Sequence, residues 1–204
     1  MRLAFDSRPT ANPQGLGRYS RGLLQALRDT ADEQDEVLEV HRPRGADIFH
    51  TPWVQGAMLH SPCPMVVTLY DIAALKLPSE RLRGGGMHLH LRHLALQRAS
   101  HVIVPSDIVA NEAVAEFGLE HERLAVIPEA PHPATLTGGT APATVTAGRL
   151  AEPAAPAAWT WEDAARETWR VYRRALAHPH RPCVSAWRRP QSLVGRRASR
   201  ARPI

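Results

Sequence analysis

Cysteine is scarce in this 204-residue chain, which holds only Cys63 and Cys183. Two thiols so far apart cannot build a disulfide framework, and a reduced, cytoplasmic setting is expected. Long apolar runs are missing as well. No run reaches 18 apolar residues, which argues against a transmembrane helix. The first residues enter a strand pattern directly, without the apolar core of a secretion signal. Acid is missing from one end only. The 28 residues from Ala177 onward carry seven arginines and no Asp or Glu, so the other 176 carry 18 basic against 20 acidic groups. The net charge of +5 therefore belongs to the tail, and a nucleic-acid role for the body of the chain is not expected. Binding through the tail would be strongly salt-dependent and would vanish when the tail is cut.

What is present suffices for one domain with a real core. The organising stretch is Met1 to Leu27. Leu3, Ala4 and Phe5 form a short apolar run closed by Asp6-Ser7-Arg8-Pro9, the pattern of a buried strand. A loop with two prolines and two glycines follows. Tyr19, Leu23, Leu24 and Leu27 then recur at helical spacing, with Arg18, Arg21, Gln25 and Arg28 opposite. Strand, glycine loop and helix open an α/β domain, and the bare N–H groups at such a helix start can receive an anion. The glycine pattern alone is weak. Ser20 stands where a dinucleotide fingerprint needs its third glycine, the loop is long, and no Gly-Lys-Ser/Thr follows. An ordinary nucleotide-binding reductase fails on those departures, and glycines that merely permit a turn remain the plain alternative.

Further strands are expected at 37–40, 48–50, 65–69, 101–105 and 124–127. Helices are expected at 87–99, 108–117 and from Thr160 to Leu176. His50 ends one strand, where open sheets place ligands; a capping or core histidine is the alternative. Met65-Val66-Val67-Thr68-Leu69 reads as a central strand that delivers Tyr70 and Asp71 to the same edge. Asp71 would otherwise cap a turn. Ser106 is placed to cap a helix. Three consecutive glycines, Gly84 to Gly86, read as a flexible loop. His88, His90 and His93 make a poor metal set, because they diverge around a helix and no carboxylate or cysteine completes them.

FDSRP, GLGRY, DIFHTP, VVTLYDIA, HVIVPSD and ERLAVIPEA occur in that order between Met1 and Pro133. The ordered set resembles the N-terminal half of family-4 glycosyltransferases. The resemblance implies a single Rossmann-like parallel sheet flanked by helices, the N-terminal half of a two-domain GT-B fold. It implies transfer of a sugar from a nucleotide-sugar donor to a sugar or lipid-linked acceptor with retention of configuration, without metal or cofactor. By the same resemblance Gly15, Gly17, Arg18 and Tyr19 face the donor diphosphate, Tyr70 and Asp71 sit at the reacting centre, and His50 and Ser106 line the acceptor side. Peripheral membrane contact is compatible with it; oligomeric state is not addressed. One departure bears on chemistry. The family commonly has His-Asp where this chain has Tyr70-Asp71, and a phenol is a poor base at neutral pH.

The second departure is larger. After Pro133 the donor-binding Rossmann half would follow, but residues 134–158 are rich in Ala, Pro, Thr and Gly and read as a linker. Thr144 to Leu150 reads as a remnant strand start. Thr160 and Asp163 form a capping-box-like start to a helix at 159–177 resembling the family's last helix, which crosses back onto the N-terminal domain. From His178 to Ile204 the chain is Arg- and Pro-rich, aperiodic and expected to be disordered. Two functional readings stand: a glycosyltransferase, truncated and weak or inactive alone, or a non-catalytic remnant that binds an acceptor or a partner.

Overall fold

β-branched and other apolar runs become strands here because they are short and bounded by polar residues, and the central ones bury both faces. The computed structural model describes residues 1–13, 15–70, 72, 86–130 and 158–177. Among these, six strands pair in one sheet: β1 (Arg2–Asp6), β2 (Glu36–Val40), β3 (Ile48–Thr51), β4 (Met65–Thr68), β5 (His101–Val104) and β6 (Leu124–Val126). Their order is β2-β1-β3-β4-β5-β6, and every neighbouring pair is parallel. β3, β4 and β5 are buried along their whole length, whereas β2, at the edge, leaves Glu36 and Glu39 exposed.

Among the described residues four helices cover the sheet: α1 (Leu16–Asp29), α2 (Gly86–Gln97), α3 (Asp107–Phe117) and α4 (Trp161–Ala177). Strand periodicity sorts the core into two layers. Leu3, Phe5, Ile48, Val66 and Ile103 pack with Leu23 and Leu27 of α1 and with Trp169 and Tyr172 of α4. Ala4, Phe49, Met65, Val67 and Val102 pack with Leu96 of α2 and with Ala113 and Phe117 of α3. The handedness of crossovers explains this division. The chain leaves β1 toward β2 in one direction and climbs from β3 to β6 in the other, so α1 falls on one face and α2 and α3 on the opposite one. Much of the first face would then lie bare, and α4, from far along the chain, covers it.

Local chemistry sets the ends of these helices. The Thr160 Oγ1 accepts from the Asp163 N–H at 3.2 Å while the Asp163 carboxylate accepts from the Thr160 N–H at 3.0 Å, so the expected capping box forms. Trp169 donates to Thr30 at 3.2 Å, and Arg173 pairs with Asp32 at 2.7 Å, fastening α4 to the end of α1. Gly22 leaves room for the Trp161 ring, which an added Cβ would meet at 2.7 Å. The Trp159 indole also donates to the Pro128 carbonyl at 3.0 Å. The chain therefore leaves the sheet after β6 and re-enters it before α4 at one place.

The expected strands and helices are found within a residue or two of their bounds. Asp71, the Gly84 and Gly85 positions, Thr144 to Leu150, nearly all of the expected linker and the tail from His178 lie outside the described residues. No described helix is long and apolar enough to cross a membrane.

Candidate functional site

The strand order reverses between β1 and β3. Loops leaving their carboxyl ends diverge there, and open α/β sheets bind ligands in that crevice. Asp6 ends β1 and is fully buried. Its carboxylate accepts from the Arg8 guanidinium at 2.8 and 2.7 Å, from Trp53 Nε1 at 2.8 Å and from Thr51 Oγ1 at 3.1 Å. Burial works against its charge, but the Arg8 and Trp53 hydrogen bonds together with the charge of Arg8 outweigh it and hold the carboxyl below its ordinary range. Asp6 and Arg8 thus knit β1 to β3 and brace the near wall of the crevice.

The glycine loop stands beside this brace. Gly15 precedes α1 with φ +51°, a conformation that excludes most side chains. Gly17 lies in the first turn, where a Cβ would drive into the Asn12 carbonyl and come within 2.7 Å of the Pro9 carbonyl. Arg21 ties the same segment down, donating to the carbonyls of Thr10, Asn12 and Pro13 at 2.5, 2.6 and 3.0 Å. The first turn of α1 is therefore held by backbone contact, and the amides of such a turn carry the positive end of the helix dipole.

Arg18 and Tyr19 diverge. Arg18 is half exposed and pairs with Glu129 Oε1 at 3.0 Å. Tyr19 turns inward, is 5% exposed, and lies 3.3 Å from Thr68 Oγ1. Its hydroxyl belongs to the core, so any contribution to the loop's ligand side comes from its backbone.

Tyr70 follows β4 and donates to Glu129 Oε2 at 2.7 Å. Its ring packs on Tyr19 at 5.3 Å between centroids. With its proton committed to a carboxylate, the phenol can offer a ligand hydroxyl only lone pairs. Glu129, in the exit from β6, thereby joins the loop set, through Arg18, to the acceptor-side set, through Tyr70.

His50 does not join them. It is fully buried, with Nδ1 2.5 Å from the Tyr172 hydroxyl and Nε2 2.9 Å from Thr68 Oγ1. Burial lowers its pKa to about 3, only partly opposed by the charge of Asp6, so the ring is neutral, donating at one nitrogen and accepting at the other. It is a buried link between α4 and the sheet, with Tyr172 of α4 over this strand end. Ser106, 3% exposed, accepts from the Val109 N–H at 3.4 Å and caps α3. Asp71 lies outside the described residues. His93 hydrogen-bonds the Phe117 carbonyl at 3.2 Å and joins α2 to α3.

Glu129, Thr68, Tyr172 and the Asp6–Arg8 pair were not singled out from sequence. Glu129 had a usable signal, since Asp6, Thr51, Tyr70 and Ser106 also stand at or just past strand carboxyl ends. Tyr172 had none, because a tyrosine in an amphipathic helix reads as core.

The sheet order, the loop after β1 and the ordered motifs bear on kinship together. The sequence profile of Glycosyltransferase Family 4 matches residues 6–130, from the end of β1 to the exit from β6. No curated protein matches the chain. Since the profile spans more than half of the 204 residues, the chain belongs to Glycosyltransferase Family 4.

Proposed function

We propose that residues 1–133 and 159–177 form the acceptor-side half of a retaining, nucleotide-sugar-dependent glycosyltransferase of the cytoplasm. The observation that carries this reading is the first turn of α1 at the β1/β3 reversal, with Gly15 and Gly17 clearing the backbone and Arg18 beside it. A diphosphate docks there on the helix N-terminus, and Arg18 supplies the cation. Tyr70 orients the acceptor hydroxyl that attacks the anomeric carbon from the face the diphosphate leaves. Asp71 is its companion in this proposal. No metal or cofactor is invoked, because the loop and Arg18 meet the charge.

A second reading has its own support. Only residues 131–157 lie between the exit after β6 and the return before α4, two points joined by the Trp159–Pro128 hydrogen bond. A donor-binding Rossmann domain does not fit in so few residues. A lone half-cleft neither excludes water nor grips the nucleotide from two sides, so this chain alone is weak or inactive, or is a remnant that binds an acceptor or a partner. Turnover separates the two. Release of nucleoside diphosphate from a panel of nucleotide-sugars, with simple sugars and lipid-linked sugars as acceptors, is expected only if the transferase reading holds. Binding without release supports the remnant.

A further inference from the structure

Glu129 raises a question of charge. Its side chain is 13% exposed and stands beside the turn to which the proposed function brings a diphosphate. A carboxylate there repels an anion unless its charge is taken up. Here it is: Arg18 donates to Oε1 at 3.0 Å and Tyr70 to Oε2 at 2.7 Å. The arrangement has the form of an occupied anion site, with a guanidinium and a hydroxyl on one oxyanion pair. Arg18, 45% exposed on its side chain, is held loosely enough to turn toward another partner.

We infer that Glu129 is a built-in competitor for Arg18, a positioning residue that holds the guanidinium until a nucleoside diphosphate takes it. This rests on the donor-loop reading. When the ligand arrives, Arg18 exchanges a monovalent carboxylate for a diphosphate, and Glu129 keeps only the Tyr70 hydrogen bond. The exchange couples the two sides of the crevice. Donor binding frees the carboxylate to draw on the Tyr70 proton alone, so the phenol oxygen facing the acceptor becomes a better hydrogen-bond acceptor.

The test is a double-mutant cycle read by calorimetric titration with UDP and GDP, on the full chain. Glu129→Gln keeps the size and the Tyr70 hydrogen bond but removes the charge. It is expected to bind about three- to tenfold tighter than wild type. In the Arg18→Ala background the same change is expected to gain clearly less, because only the direct repulsion between Glu129 and the ligand is left to relieve. A merely structural Glu129 would not give that pattern; equal or weaker binding by folded Glu129→Gln, or tightening that is as large without Arg18 as with it, overturns the inference. If wild type binds but Glu129→Gln gains nothing, the competitor is refuted and the donor site stands. If no variant binds while circular dichroism shows each folded, the donor site fails and the competitor with it.

Discussion

His50 is held between Tyr172 and Thr68 with no exposure to water, and that position fixes how the fold responds to acid. Its pKa falls from 6.5 to about 3 on folding because burial penalises the imidazolium. Below pH 6.5 the unfolded chain therefore binds a proton that the folded chain refuses. Stability drops by up to about 1.4 kcal/mol per pH unit from this one group until the folded ring titrates near the lower value. Thermal melts from about pH 6.5 to 4.5 should show a steeper loss in wild type than in His50→Gln; equal slopes would contradict a neutral buried ring. Tyr172→Phe removes one partner of the same ring and should cost about 1–3 kcal/mol in urea unfolding, the penalty of an orphaned buried polar atom. Residue by residue, legibility was uneven. Helical spacing already set Tyr19 in the apolar stripe with Leu23 and Leu27, and the structure follows the spacing, with the hydroxyl on Thr68. Resemblance points to the same residue as a diphosphate contact. His50 could not be resolved from sequence, because its partner Tyr172 is 122 residues away.

Among the elements, α4 carries the most information per residue. Crossover handedness leaves the β3–β6 half of one sheet face without a local helix, and α4 fills it with Ala165, Trp169 and Tyr172. Trp169→Ala should cost about 3–5 kcal/mol, as a large buried aromatic does, and Thr160→Ala about 1 kcal/mol through the lost cap. Both are read from urea unfolding, and an effect near zero for Trp169→Ala would mean that α4 does not dock. The elements themselves were legible because the strands are short runs rich in apolar residues and some helices have their own stop or cap, such as Ser106 before α3 and Gly118 after it, with φ +61°. What was not legible is which strand end faces which. Asp6, Thr51 and Trp53 are scattered over 48 positions and meet only because β1 and β3 pair in parallel register.

Among the described residues the molecule is one parallel sheet, with α4 docked on the face that α1 leaves partly bare. Exit and return meet at Pro128 and Trp159, and the length of a flexible connection between two such points costs little: each doubling adds about 0.6 kcal/mol of closure entropy. Replacing residues 131–157 with a glycine-serine linker of equal length should leave the melting temperature within about 4 °C of wild type. A larger fall would show that this stretch contributes packing of its own. The same topology places Gly15, Gly17, Arg18, Tyr70 and Glu129 along one edge of the sheet. The central claim is that this edge still holds a diphosphate. The most direct measurement is titration of wild type and Arg18→Ala with UDP, GDP and their sugar conjugates. Saturable binding that weakens about tenfold without Arg18, the worth of one charge-assisted contact, is the predicted result. A folded wild-type chain that binds none of them would contradict it.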